Sequence, residues 1–414
     1  MDTPLSAPGC PPAVAGWVAP PLSLYLHLPF CQVRCAYCDF NTYAGLNDLI
    51  PAYAAALEQE IRAVGQAAGA KLPVHTIFFG GGTPSLVPLE HYSALFAALR
   101  QSFDLTPGCE ITLEANPGTV DAVYLAGLRA LGVNRLSFGV QSAHPAELKL
   151  LDRLHTFEDV LNAVAWARAA GFDATAYGLN LDLIFGLPHQ TLADWQSTLR
   201  RVLALRPEHL SLYALSLENG TPLRAWVYQG LLPLPDPDLA ADMYHFAAEA
   251  LAQAGYAQYE ISNWARSDGH SPGYFQCRHN LQYWRNWPYL GLGAGAHGCA
   301  AGWRYSNVLA PAAYINRLAG GEVRPYPFSA VAVERHAQTH AEAMNETMLL
   351  GLRLTAEGVR EADFAARYGL NLRAAFGRQL RRLMALGLLA WDSEGARLTP
   401  GGRLLGNRAF QEFV

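Results

Sequence analysis

The sequence predicts an α/β fold: a partial (β/α)6 barrel of the TIM type with a C-terminal extension that ends in a winged-helix-like helical domain. Three observations carry this prediction. Six short apolar runs alternate with stretches of helical period over the first 254 residues, as expected for parallel strands joined by right-handed crossovers. Residues of conspicuous chemistry fall at or just past the C-terminal ends of those runs, where barrel folds place their chemistry. Beyond residue 255 the texture changes, first to a segment rich in Tyr, Trp and Gly and then, from about 338, to helix.

The first twenty residues, MDTPLSAPGCPPAVAGWVAP, lack the charged start and continuous apolar stretch of a signal peptide, and their prolines predict a disordered tail (1–20). The barrel (21–254) then runs through strands 22-LSLYLHL-28, 74-VHTIFF-79, 109-CEITLEA-115, 134-NRLSFGV-140, 179-LNLDLIF-185 and 209-HLSLYAL-215, with helices at 51–69 and 158–171 among those between them. Residues 220–240 read as a connector into a last helix near 238–254. The extension (255–337) offers strands at 256–264 and 289–298. The final segment (338–414) reads as helices 355–369 and 374–389 followed by a hairpin at 390–405, a helix-turn-helix with a wing. Its second helix lacks a basic stripe matched to base edges and the chain carries 30 basic against 35 acidic side chains, a net charge of −5. No nucleic-acid partner is therefore expected. No apolar run reaches the roughly 18 residues of a membrane span, and the expected location is cytoplasmic.

Seven cysteines are present, and three of them, Cys31, Cys35 and Cys38, crowd into 31-CQVRCAYC-38. Clustering in a long chain argues for metal binding rather than a disulfide framework. Structural zinc wants four ligands, and His27 is the one residue nearby that could add itself. Three inert buried thiols are a second reading, although Gln32, Arg34, Asp39 and Asn41 make the loop polar. The third reading is an iron–sulfur cluster, for which three thiolates leave one iron open to a small molecule.

C-x3-C-x2-C directly after a first barrel strand, with aromatic Tyr37 before the last cysteine, resembles the signature of the radical S-adenosylmethionine (radical SAM) superfamily. The resemblance implies a [4Fe–4S] cluster on Cys31, Cys35 and Cys38, with S-adenosylmethionine on the open iron. It also implies contacts to S-adenosylmethionine from Gly81, Gly82 and Thr83 in 80-GGGTPS-85, and from Glu114, Gln141, Arg153, Asp182 and Ala214 near successive strand ends. Tyr25, six residues before Cys31, and Tyr37 complete that set.

Two branches of the superfamily share this architecture, the oxygen-independent coproporphyrinogen III dehydrogenases and the HemW heme chaperones. Phe40 stands where the dehydrogenases usually carry a further cysteine, only thirty residues precede Cys31, and 279-HNLQYW-284 resembles the HNxxYW motif of the second branch. That branch implies heme as cargo, with His279, Asn280, Tyr283 and Trp284 as its site, and an acceptor protein, the respiratory chain being the implied source. If the motif is helical, Tyr283 lies one turn on from His279. Cys277 and His297 are competing ligands. The chain could act as a monomer or a dimer.

Overall fold

The computed structural model describes residues 20–267, 271 and 273–414, so the tail expected at 1–20 lies, apart from Pro20, outside the described residues. Six parallel strands form the centre of the molecule: β1 (Leu22–Leu28), β2 (Pro73–Gly81), β3 (Asp104–Ala115), β4 (Arg135–Gln141), β5 (Gly178–Phe185) and β6 (His209–Ala214). Their alternation explains why the sequence was readable. In β1, Leu22, Leu24, Leu26 and Leu28 are buried in the main core. The intervening Ser23, Tyr25 and His27 pair in register with Thr76, Phe78 and Gly80 of β2 and share the other face with them.

The sheet does not stop at six. The strand Tyr289–Leu292 joins β1 in parallel, and three antiparallel strands (His297–Ala300, Trp303–Asn307 and Ala332–Ala337) follow on that side. A hairpin of Asn263–Arg266 and Tyr256–Gln258 borders β6. The extension thus continues the sheet beyond both sides of the six central strands. Both of its expected strands are broken by turns. Within 256–264, the Glu260 carboxylate accepts from the Ser262 backbone N–H at 3.1 Å and from the Asn263 side chain, which folds the chain back. Within 289–298, Gly293 has φ +99° and a Cβ there would lie 2.5 Å from the His27 carbonyl oxygen, so only glycine allows this turn against β1. The connector at 220–240 contains a helix, Pro222–Tyr228, capped by Thr221.

Two of the outer helices begin in capping boxes, Thr156 with Asp159 and Thr191 with Asp194, each contributing about 1 kcal/mol. The C-terminal segment has a core of its own around Leu372, Leu380, Leu383 and Phe364. In it the helices Glu361–Tyr368 and Leu372–Ala385 precede a wing made by Leu389–Trp391 and Gly395–Leu398. Among the described residues no helix is long and apolar enough to cross a membrane.

Candidate cofactor site and the plug beneath it

The loop after β1 carries the three cysteines to the C-terminal mouth of the barrel, where all three line one cavity of about 440 Å³. Each thiol sits near a hydroxyl or a guanidinium. Thr83 Oγ1 lies 3.6 Å from Cys31 Sγ, Arg153 Nη1 lies 3.6 Å from Cys35 Sγ, and Thr42 Oγ1 lies 4.0 Å from Cys38 Sγ. Burial pushes the Cys31 and Cys38 thiols upward, and hydrogen bonds from Thr83 to the first and from the Phe40 backbone to the second oppose it. Among the described residues no three His, Cys, Asp or Glu side chains gather tightly enough to hold one metal ion. Thiols spread around a cavity suit a cluster, whose thiolates bind separate irons.

The same cavity is lined by Tyr37, Gly81, Gly82, Thr83, Glu114 and Gln141, and further by Arg153, Asp182 and Ala214. Tyr25 is not part of that lining; its hydroxyl lies 2.9 Å from His27 Nδ1 and its ring stacks on Phe78. The glycine run is required by crowding: a Cβ on Gly82 would fall 2.5 Å from the Phe30 carbonyl oxygen. Gln141 has φ +63° at a register shift in β4, a local strain that re-aims the side chain at a strand end.

Two carboxylates face this space. Glu114 accepts one hydrogen bond, from the Gly81 backbone N–H at 3.1 Å. Desolvation, with the charge of Asp182 adding to it, pushes Glu114 up to about 8. Asp182 is also raised by burial, against hydrogen bonds from Ser137 and Asn180, each at 2.8 Å. Arg153 reaches Asn116 and the Gly139 carbonyl but leaves its Nε buried without a partner. Such a set, two crowded acids and an unfinished guanidinium beside three thiols, suits a ligand that carries both positive charge and a carboxylate.

Sequence reasoning missed several lining residues, namely Asn116, Ser137, Tyr213, Ser216 and Glu218. Strand alternation could have found two of them. Ser137 lies two residues before Gly139, and Tyr213 lies two beyond Ser211, on the same strand faces.

At the opposite end of the barrel sits the helix Arg278–Trp284, which carries HNLQYW. Glu110, just past the register shift in β3, accepts from the backbone N–H groups of Arg278 and His279, both at 3.0 Å, and so caps the helix from across the fold. The helical spacing expected for His279 and Tyr283 is present. The open imidazole expected for heme is not. His279 is 1% exposed, with Nδ1 2.8 Å from Thr76 Oγ1 and Nε2 3.0 Å from the Tyr283 hydroxyl. Desolvation, with the nearby His75, holds it down at about 3. Cys277 is equally closed: it is buried, 3.5 Å from Glu110 Oε1, and pushed up to about 12 by burial and by that carboxylate. His297 is exposed and lies outside the cavity lining. Trp284 alone of the motif's rings faces away, into a cleft against the C-terminal segment.

Residues 25–202 match the model of the Radical SAM superfamily, and 338–405 match that of the HemN C-terminal domain. A Bacillus subtilis protein named Heme chaperone HemW is 38% identical over 397 residues, 95% of this chain and 99% of that protein. The chain belongs to the HemW family of radical SAM proteins. A Mycobacterium tuberculosis HemW protein is likewise 38% identical, over 97% of each chain. Among solved structures, the Escherichia coli coproporphyrinogen III oxidase HemN matches with a TM-score of 0.80 and 27% identity, covering 97% of this chain and 92% of that one. Membership of the superfamily brings a [4Fe–4S] cluster and S-adenosylmethionine, and the thiols, acids and guanidinium at the barrel mouth fit them.

Proposed function

We propose that this chain is a cytoplasmic heme chaperone that binds heme and passes it to an acceptor protein of the respiratory chain. The supporting observation is that 38% identity extends over almost the entire length of proteins named heme chaperones. Phe40, in the position of a further cysteine, lines the mouth of the cavity and is 65% exposed. In this reading Cys31, Cys35 and Cys38 hold the cluster, which supplies an iron with open coordination. Gly81, Gly82 and Thr83 let the ligand approach the backbone. Glu114 and Asp182 answer its positive charge, and Arg153 answers its carboxylate. Tyr37, Gln141 and Ala214 shape the remaining walls, and Tyr25, outside that lining, is bonded to His27. The helix carrying His279, Asn280, Tyr283 and Trp284 bears the heme site on its outward face.

Heme titration of the cluster-loaded protein, followed at the Soret band, tests this reading. A saturable one-to-one complex is expected, and its absence overturns the reading. The rival is coproporphyrinogen III dehydrogenation, favoured by the TM-score of 0.80 to HemN and by the complete set of polar groups at the barrel mouth. Anaerobic incubation of the reduced protein with coproporphyrinogen III and S-adenosylmethionine separates the two. Decarboxylated product with matching 5′-deoxyadenosine would establish the rival.

A further inference from the structure

The motif helix has two faces, and only one is accounted for by the barrel. His279 and Tyr283 bond to each other at the barrel floor. Trp284 points the other way and lines a cleft of about 360 Å³ between this helix and the C-terminal segment, within the roughly 300–1,000 Å³ of small-molecule sites. Trp284, Trp287, Phe364 and Tyr368 are among its lining residues, the last two buried, and the Arg285 guanidinium lies 5.0 Å from the centre of the Trp287 ring. The indole Nε1 of Trp284 is buried without a partner, and the Arg353 guanidinium lies 4.5 Å from the centre of its ring. Gly351 lets the helix His340–Gly351 come close, since a Cβ there would lie 2.6 Å from Val359.

The rim is basic. Arg285, Arg360 and Arg367 line the cleft against two acids, Glu357 and Asp363. Glu357 takes both of its hydrogen bonds from Arg285, at 2.9 and 2.6 Å. Arg360 is exposed beside it. Aromatic walls under a guanidinium rim fit a flat ring system bearing carboxylates. Among the described residues lining the cleft there is no His, Cys or Met.

We infer that the porphyrin of heme is held in this cleft, its ring against Trp284 and Trp287 and its propionates toward Arg360 and Arg367. This rests on the heme reading above and places the cargo against Trp284, away from the buried His279 on the same helix. Grip through ring and propionates leaves the axial positions of the iron for an acceptor's own ligands, so cargo can be surrendered without breaking a protein–iron bond.

The test uses the full chain and two probes, heme by its Soret band and metal-free protoporphyrin IX by its fluorescence. Wild type is expected to take one equivalent of either, with dissociation constants within about threefold of each other, because the iron adds little to the grip. The double variant Arg360→Glu, Arg367→Glu is expected to weaken both by about tenfold or more, and Trp287→Leu to weaken both while circular dichroism stays unchanged. Heme binding that ignores these substitutions, or heme binding without protoporphyrin binding, overturns the cleft and leaves the chaperone reading standing. Wild type that binds neither overturns both.

Discussion

Glu60 and Glu114 are two carboxylates whose charged forms burial disfavours, and their surroundings differ. Glu60, on the helix Ile50–Ala67, is 1% exposed and accepts four hydrogen bonds, two on each oxygen. They come from the Gly293 N–H and the Tyr314 hydroxyl, both at 2.7 Å, from the Asn307 amide at 3.1 Å and from the Ser329 hydroxyl at 2.6 Å. One residue thus ties the extension to the barrel wall. Glu114 accepts from a single backbone N–H and faces Asp182 across an open cavity. A buried polar group costs free energy unless it is satisfied. The fully bonded acid is a structural fastening, and the acid left short of donors is a place prepared for a ligand.

The largest effect that can break this contrast is on stability. Glu60→Ala leaves four donors unmet in the interior and is expected to cost about 3 kcal/mol or more. Glu114→Ala borders a cavity that water can enter and is expected to cost under about 1 kcal/mol. Urea denaturation of the cluster-free protein compares them, and equal losses would erase the distinction.

The next effect concerns ligand affinity. Glu114→Gln is expected to weaken S-adenosylmethionine binding to the cluster-loaded protein by about tenfold, the loss of one charge-assisted contact, with the circular dichroism spectrum unchanged. Calorimetric titration reads it. Unchanged affinity would return Glu114 to an ordinary buried acid.

The last effect is in pH dependence. Glu114 sits at about 8 in the folded chain against 4.5 for an ordinary glutamate. Between those values the folded state holds a proton that the unfolded state has released, so this group's contribution to stability falls as pH rises from 4.5 through 8. Melting temperatures of wild type relative to Glu114→Gln should therefore decline across that window. A flat difference would contradict the raised value.

The strands were legible because parallel strands buried on both faces read as apolar runs, and β1 lies at the residues expected, Leu22–Leu28. The cavity was legible because its residues follow strand ends at regular intervals. The floor of the barrel was not. Helical spacing puts His279 and Tyr283 on one face, but it cannot say which way that face turns. Its direction is set by Glu110 and Thr76, partners 169 and 203 residues away from His279. The two broken strands of the extension escaped for a similar reason, since their turns depend on Glu260 and on the close approach of Gly293 to His27.

Handover tests the chaperone reading most directly. Protein carrying one equivalent of heme would be mixed with membranes from heme-depleted cells that hold a b-type apocytochrome, and the Soret band followed as the cytochrome fills. The account predicts transfer whose rate rises with membrane concentration, since the acceptor takes the cargo from the complex. A rate independent of membrane concentration, equal to spontaneous heme loss, would contradict it.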